Sequence, residues 1–502
     1  MRKIDISRIA ASGALLAVLA GCTLGPDYVR PAAPVATKYK EAEGWKPATP
    51  QEAASAEAWW SVFNDPVLDG LERQVEISNQ TLKASEAAYR TAQAIVAEAR
   101  AGYFPTLDLG GAATRSGNGA GSSSSSGRSS SSRASVQNSF GASASASWVP
   151  DIWGSIRRTV ESDVANAQAS AADLAAARLS AQASLAVDYF ELRVADETKR
   201  LLDATVDAYT RSLQITQNRY GVGTAARTDV VSATAQLEST RAQAIATGVQ
   251  RAQFEHAVAV LIGKPPGDFA IAPATLDRML PVTPPDLPST LLERNPGIAA
   301  AERAMAAANA TIGVAETGYF PTVTLGASYG QSSSMLHTLF TAASSLWSFG
   351  LTDVTLPIFN GGLTSARVAA ARATYDQSVA TYRQAVLTGF QQVEDQLAAS
   401  RILAQQAEVQ ARAVQAAQEA ERLTLNQYRA GTIDYTSVIT AQANSLADQE
   451  TALTILQSRL LASINLIEAL GGGWDTRQLP TVDQVEDSAA PPLQSHAEVG
   501  SK

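Results

Sequence analysis

One cysteine and three histidines in 502 residues leave little material for metal or redox chemistry. His256, His337 and His496 fall in unrelated places, none with a carboxylate or second histidine at metal-ligand spacing. No Gly-rich loop follows a strand to hold phosphate, and no nucleophile elbow is present. These absences argue against an enzyme and against any bound cofactor or metal. The formal charge is −9 and no long basic run exists, which argues against a nucleic-acid partner. After the N-terminus no stretch of about 18 to 20 uninterrupted apolar residues appears, which argues against a helical membrane span. A β-barrel stays open, because its strands need only about 10 alternating residues each.

What is present is helix-compatible: Ala above all, with Gln, Leu, Arg and Glu, while Gly, Pro and Ser collect in a few stretches. The N-terminus carries the most specific short signal. Arg2, Lys3 and Arg8 give a basic start, and Ile9 to Ala20 form an apolar run too short to span as a mature helix. It ends in Leu19-Ala20-Gly21-Cys22, which looks like a bacterial lipobox. Residues 1–21 are thus expected to be a lipoprotein signal peptide, with a diacylglyceryl and an N-acyl group on Cys22. The bland alternative is an ordinary secretory leader with a chance cysteine. With its only thiol lipidated the protein forms no disulfide, although the periplasm would permit one. Thr23 follows where inner-membrane retention usually wants Asp, which favours the outer membrane.

The chain is written twice. Residues 84–113 resemble residues 300–329: both run an Ala-rich helical pattern into Gly-Tyr-Phe-Pro-Thr and then an alternating stretch. Pro105 and Pro321 mark where each helix must stop, since the ring removes a donor and disfavours helix at the preceding residue. Val149-Pro150 answers Leu356-Pro357, Arg219-Tyr220-Gly221-Val222-Gly223-Thr224 answers Gln427-Tyr428-Arg429-Ala430-Gly431-Thr432, and Leu261-Ile262-Gly263 answers Leu470-Gly471-Gly472. The four offsets are 216, 207, 208 and 209, so the first half holds about nine extra residues inside its alternating region. That surplus is the Ser-rich tract Arg115 to Asn138, too poor in apolar residues to order itself and expected to be a mobile loop.

Each half reads helix, strand, loop, strand, long helix, tight turn, helix. Phe140, Ala142, Ala144, Ala146 and Trp148 alternate against Gly141, Ser143, Ser145 and Ser147, and Val323, Leu325, Ala327 and Tyr329 against Thr324, Gly326 and Ser328. Strands are expected at about 105–114, 139–149, 321–330 and 346–357. One apolar and one small polar face suits a barrel strand between lipid and a wet lumen, and locally also a soluble sandwich edge. Long helices are expected over Ser155–Arg219 and Leu363–Gln427; about 65 residues span roughly 100 Å, more than a compact core has room for. Leu174, Ala177, Ala181, Leu185, Tyr189 and Leu192 give the first a seam of coiled-coil kind. Four strands cannot close a barrel, and open edges in lipid are costly, so an oligomer is required; three chains would supply twelve strands.

These residues resemble the TolC-type outer-membrane efflux proteins, in the lipoprotein branch that includes OprM and NodT. The resemblance covers nearly the whole mature chain. It includes Gly25-Pro26-Asp27-Tyr28 with Arg30-Pro31, Trp59-Trp60 leading to Phe63-Asn64-Asp65-Pro66-Val67-Leu68, both Tyr-Phe-Pro repeats and both Tyr-x-x-Gly turns. It implies a mainly α homotrimer: a 12-stranded outer-membrane barrel continued by a long periplasmic α-helical barrel. It also implies docking to a periplasmic adaptor and an inner-membrane transporter of the resistance-nodulation-division (RND) type. By position, Asp229 matches the gate-forming acid of the first turn and Tyr428 the aromatic of the second, with Tyr220 and the turn glycines Gly223 and Gly431 beside them. The basic partner usual two residues after the second glycine is replaced by Ile433, and pore acids further on by Ser437 and Thr440. Asp434 is the candidate to supply that negative ring. Helix N-capping is the alternative role for both Asp229 and Asp434.

The expected organisation is signal peptide 1–21, lipidated extended segment 22–64, first repeat 65–270, second repeat 285–472 and a flexible tail 473–502, whose start Trp474 would pin. The function implied is a passive export duct for small molecules. The alternative is a periplasmic coiled-coil lipoprotein acting as scaffold or adaptor of an export system. That alternative accounts for the lipobox and long helices but not for two proline-bounded pairs of alternating segments.

Overall fold

A computed structural model describes residues 23–36, 38–41, 58–118, 135–276 and 288–488. The lipobox, Cys22 and the serine runs of 119–134 lie outside the described residues, as does His496. The elements are α1 (Pro66–Ser78), α2 (Gln80–Ala101), β1 (Thr106–Asn118), β2 (Ser135–Trp148), α3 (Ser155–Gly221), α4 (Arg227–Leu261), α5 (Pro288–Arg294), α6 (Pro296–Thr317), β3 (Thr322–Ser333), β4 (Ser345–Thr355), α7 (Leu363–Ala430), α8 (Tyr435–Ala469) and α9 (Val482–Ser488). Among the described residues no helix is long and apolar enough to cross a membrane.

The duplication is physical as well as textual. Asn79 and Asn295 each cap a helix by accepting the amide three residues on, Leu82 and Ile298. Each also donates its side-chain amide to the carbonyl ending the return helix, Leu261 and Ala469. Gly263 and Gly471 follow those carbonyls with φ of 71° and 91°. A Cβ on Gly471 would lie 1.9 Å from the Arg294 oxygen, and one on Gly263 would lie 2.3 Å from that of Ser78. Only glycine fits such a crossing. Gly154 and Gly362, both at positive φ, start α3 and α7, of 67 and 68 residues.

The four strands form one antiparallel sheet in the order β1-β2-β3-β4. Its two faces differ sharply. Leu107 and Leu109, Phe140 and Trp148, Tyr329, and Trp347, Phe349 and Leu351 share one face by register. The opposite face carries mostly serine, threonine and glycine with Asp108 and Asp353, Ala112 and Leu346 being its apolar members. Phe349 is 84% exposed and Leu109 85%, so none of the described residues covers the apolar face. The strands reach further into the Ser-rich segment than its composition suggests: β1 runs to Asn118 and β2 starts at Ser135, so both ends of the expected loop 115–138 are strand. Pairing with a neighbour supplies the order that apolar burial does not.

The halves meet along α3 and α6, where Ala165 packs with Ala306 and Ala307, and Ala172 with Ala299 and Ala300. The expected seam of α3 holds only in its lower part: Leu185, Tyr189 and Leu192 are buried, whereas Leu174, Ala177 and Ala181 are half-buried. The upper part turns Ala165 and Ala172 to α6 instead. Below it a core joins Trp59, Leu68 and Val75 to Leu185, Tyr189, Val258, Ile262 and Ile464. The segment before α1 is extended at first, but Trp59–Phe63 forms a 3₁₀ turn that buries both tryptophans.

Residues 23–41 strap the outside. Arg158, almost fully buried, donates to the Leu24 and Gly25 carbonyls and pairs with Asp27 at 2.9 Å. Tyr28 donates to Glu302, Arg30 to the Tyr382 hydroxyl at 3.1 Å, and Arg401 pairs with Glu41. Burial alone would raise the Glu302 carboxyl, but hydrogen bonds from Arg303 and Tyr28 hold it below its ordinary value. The expected flexible tail is ordered as far as Ser488: α9 buries Val485 against Val96, Val160 and Val164, and Arg100 pairs with Glu486 at 3.5 Å. Trp474 packs with Leu479 on the Ala172 cluster.

Glu72 is the exception in this core. It is fully buried on α1, and neither carboxylate oxygen has a hydrogen-bond partner. Burial, with Glu76 adding repulsion, pushes its pKa up to about 9. The unfolded chain releases that proton near its ordinary value while the folded chain keeps it, so stability falls as pH rises from about 4.5 to 9. Glu72→Leu is expected to raise stability at pH 8 by about 2 kcal/mol and to flatten the decline with pH. Thermal unfolding followed by circular dichroism at pH 5, 6.5 and 8 checks this, and an unchanged slope refutes it.

Candidate functional site

The two long helices turn back within one small cluster at the far end from the sheet. Both turns close identically. Gly223 donates to Tyr220 at 2.9 Å and Thr224 to Arg219 at 2.8 Å; Gly431 donates to Tyr428 at 2.9 Å and Thr432 to Gln427 at 3.1 Å. This is the Schellman pattern, which needs a left-handed residue, and Gly223 and Gly431 have φ of 77° and 79°. The threonine hydroxyls bond the same carbonyls, at 3.1 and 3.0 Å.

The tips then diverge. Tyr428 is buried with Tyr435, Ala233 and Val438, its ring 5.1 Å from that of Tyr435. Its repeat counterpart Tyr220 is 48% exposed, so the duplicated tyrosines have different surroundings. Arg219 joins the two turns. Its guanidinium stacks 4.4 Å over the Tyr428 ring, donates to the Tyr428 carbonyl and reaches the Thr224 carbonyl at 3.4 Å. Beneath it Tyr428 donates to the Thr216 hydroxyl at 3.5 Å, and the Ser212 and Tyr435 hydroxyls lie 3.1 Å apart. Burial pushes the Tyr435 hydroxyl above its ordinary value, and the Asp229 carboxylate acts in the same direction.

Asp229 sits at the third position of α4, half-buried, and accepts from the Ala226 amide at 3.3 Å. The Ala226 methyl has no acceptor to return that bond, so only half of a capping box exists. Asp434 occupies the position before α8 but is exposed and makes no capping bond with its side chain. Ser437 and Thr440 are exposed beyond it. The fold therefore gathers Tyr428, Asp229 and both turn glycines at one place and leaves Tyr220 and Asp434 facing outward.

Sequence reasoning passed over Arg219, Tyr435, Ser212 and Thr216. It sought the cation after the second glycine, where Ile433 stands. The signal was in the repeat itself: each turn carries one arginine, but at different places, Arg219 aligning with Gln427 and Arg429 with Gly221. At the other end of the chain, Pro105, Pro150, Pro321 and Pro357 stand within two residues of a strand end. There Trp153 donates to the Pro321 carbonyl at 2.7 Å and stacks on Phe320 at 4.8 Å. His256 is exposed on α4 and His337 lies in the β3–β4 connection, far apart in the chain and on separate elements.

A sheet apolar on one face and polar on the other, feeding two helical hairpins of about 100 Å, defines an outer-membrane channel of the kind used for export. The family model "Outer membrane efflux protein" matches residues 71–264 and 287–472, and the chain belongs to that family. It is 31% identical over 464 residues to the toluene efflux pump outer membrane protein TtgC of Pseudomonas putida, covering 91% of this chain and 94% of that one. It is 29% identical to the probable outer membrane lipoprotein SilC of Salmonella typhimurium, covering 91% and 97%. Among solved structures the outer-membrane channel OprN superposes with a TM-score of 0.82 at 26% identity, over 90% of this chain and 100% of that one.

A charge-assisted hydrogen bond contributes about 1.5 to 3 kcal/mol and the stacked cation about 1. Arg219→Ala should thus open the tips locally without unfolding the hairpins. Amide exchange around Thr216 and Thr432 is expected to quicken about 10- to 100-fold, with α3 near Tyr189 unchanged. Arg219→Lys should not restore protection, because an ammonium lacks the planar fork. Unaltered exchange in Arg219→Ala would remove the latch role.

Proposed function

We propose that three copies of this chain assemble into a passive export duct, with twelve strands through the outer membrane and the helical hairpins forming a periplasmic tunnel. One observation carries the reading: one face of the sheet is apolar over most of its length, and among the described residues both edges, β1 and β4, are unpaired. In lipid an open edge leaves backbone groups without partners, and only closure by further strands removes the cost. A periplasmic scaffold or adaptor would have no use for Trp347 and Phe349 at 78% and 84% exposure.

In this duct the polar sheet face lines the lumen. Among the described residues it carries Asp108 and Asp353 and no lysine or arginine, which favours cations mildly over anions. The helix tips form the closure, with Arg219 latching the first turn of each chain to its second. Cys22, carrying diacylglyceryl and N-acyl groups, anchors the strap in the inner leaflet; the relative SilC is named an outer membrane lipoprotein. A periplasmic adaptor and an inner-membrane RND transporter supply the driving force. The chain itself performs no covalent chemistry and needs no cofactor or metal.

Two measurements test this. The mass of detergent-extracted protein from separated outer membranes should be that of a trimer, retained in the membrane when Cys22→Ser removes the lipid site. A monomer released by Cys22→Ser would leave only a tethered scaffold. In planar bilayers Arg219→Ala should raise mean conductance several-fold over the unaltered protein; equal conductance would place the closure elsewhere.

A further inference from the structure

The two hairpins of the sheet end at different heights. β1 and β2 reach Asn118 and Ser135, whereas β2–β3 pairing stops at Phe140 and Ser333, so residues 135–139 rise above the last residue of β3. β3 and β4 hold 12 and 11 residues, close to the about 9 to 11 that a tilted strand needs to cross hydrocarbon. The connection between them, residues 334–344, therefore starts where the span ends.

That connection is apolar on its surface and closed in its polar bonds. No Asp, Glu, Lys or Arg occurs from Thr317 to Thr352. Met335, Leu336 and Phe340 stand 52%, 65% and 78% exposed. The backbone turns on itself, with amides donating from Thr338 to Met335 and from Leu339 to Leu336, both at 3.2 Å, and from Ser344 to Thr341 at 3.1 Å. Hydroxyls turn inward too: Thr338 donates to the Met335 carbonyl at 3.0 Å, Thr341 to that of Thr338 at 2.9 Å and Ser345 to that of Ala342 at 2.8 Å. In water such closure gains little, since solvent serves the same groups. Where water is scarce it is required.

The loop also leans one way. Ser344 donates to the Gln331 side chain at 2.7 Å, and the hydroxyls of Ser333 and Thr338 lie 2.6 Å apart. Gln331 and Ser333 alternate along β3 with Tyr329, and Gln331 donates to the Tyr329 hydroxyl at 3.1 Å, so both belong to the apolar face. These ties carry the loop outward, above Tyr329 and its partner Trp347.

We infer that the β3–β4 loop is a foot resting in the outer leaflet of the membrane, with Met335, Leu336 and Phe340 set into the boundary between headgroups and acyl chains. The inference rests on the membrane-spanning duct proposed above and adds a lipid contact outside its strands. The occupant follows from continuity: the loop's exposed apolar groups extend the face of Trp347 and Phe349 that the duct turns to hydrocarbon. Tyr329 and Trp347, rings with one polar atom each, suit the level at which the headgroups begin. Such a foot fixes the height of the barrel. Lifting it brings Leu336 and Phe340 into water, and sinking it carries irregular backbone into hydrocarbon.

Site-specific labelling tests this, because Cys22 is the only native cysteine and the unaltered protein serves as the blank. Full-length Phe340→Cys, Leu336→Cys, Phe349→Cys and Ser332→Cys are each labelled with a thiol-reactive, environment-sensitive fluorophore and reconstituted in phosphatidylcholine vesicles. Two quenchers are compared: a lipid bearing a nitroxide near the headgroup end of its acyl chain, and iodide in the water. Phe349 reports the apolar face of the sheet and Ser332 the polar face. Labels at Phe340 and Leu336 should lose roughly half their emission to the nitroxide, which lies within the about 5 to 10 Å that an interfacial apolar group penetrates. Iodide should quench both several-fold less than it quenches Ser332. Nitroxide quenching at Phe349, with iodide alone quenching the two loop labels, would overturn the foot and leave the duct standing. Loop labels shielded from both quenchers would place the loop against protein and overturn it as well. No nitroxide quenching at any of the three apolar sites would overturn the foot and the duct together.

Discussion

A β-sheet in lipid has no water to turn to. Each backbone N–H and C=O at its edge must find another strand, and each apolar side chain must find hydrocarbon or a neighbour. Among the described residues this chain builds four strands, with Leu109 and Phe349 bare on one face and both edges open. The rest of the architecture answers that deficit. The sheet is narrow because each half contributes one hairpin, and a hairpin is all that fits between a helix ended by Pro105 or Pro321 and one begun by Gly154 or Gly362. In the duct proposed above closure comes from further copies, which have to be held at the same height and angle along their whole length.

Holding that angle is the work of the helices. α3 and α7, at 67 and 68 residues, run without a break from the sheet to the tips. Small alanines where α3 meets α6 let the backbones approach closely, and the crossings at Gly263 and Gly471 bring carbonyl oxygens within distances that no Cβ tolerates. The strap from Thr23 to Glu41 adds cross-ties at Arg158, Glu302, Tyr382 and Arg401, binding the N-terminal segment onto both halves. Arg158 sits where α3 leaves the sheet, so one buried guanidinium connects barrel base, strap and tunnel wall.

Duplication supplies the frame, and departures from it supply the function. The two turns at the tips share their hydrogen bonds and their threonines. Only Gly223 and Gly431 match among the glycines; Arg219 stands against Gln427, Gly221 against Arg429 and Arg227 against Tyr435, and Tyr428 is buried while Tyr220 lies outside. At the opposite end Asp151 caps α3 through the Ile156 and Arg157 amides, whereas its counterpart Ile358 caps nothing and stands exposed. A perfectly repeated chain would lack the contact of Arg219 with Tyr428 that joins the two turns.

Local rules of the backbone made much of this legible beforehand. Pro105 and Pro321 must end helices, alternation at Phe140 to Trp148 must be strand, and matched markers at constant offsets must be two copies of one motif; each follows from sterics or periodicity within a few residues. The sequence by itself therefore determined the element order, the duplication and the two-faced strands. Tertiary structure alone decided the rest, because it turns on which residues distant in the chain come together. Arg219 reaches a carbonyl 209 residues away, order in the Ser-rich segment comes from strand pairing, and the tail is held because Val485 finds Val96 and Val160. Glu72 reads as a surface acid on an amphipathic helix, and only the packing of α1 against α3 strips it of water. Composition and spacing carry no information about such encounters, which depend on how hairpins some hundred residues long lie against one another.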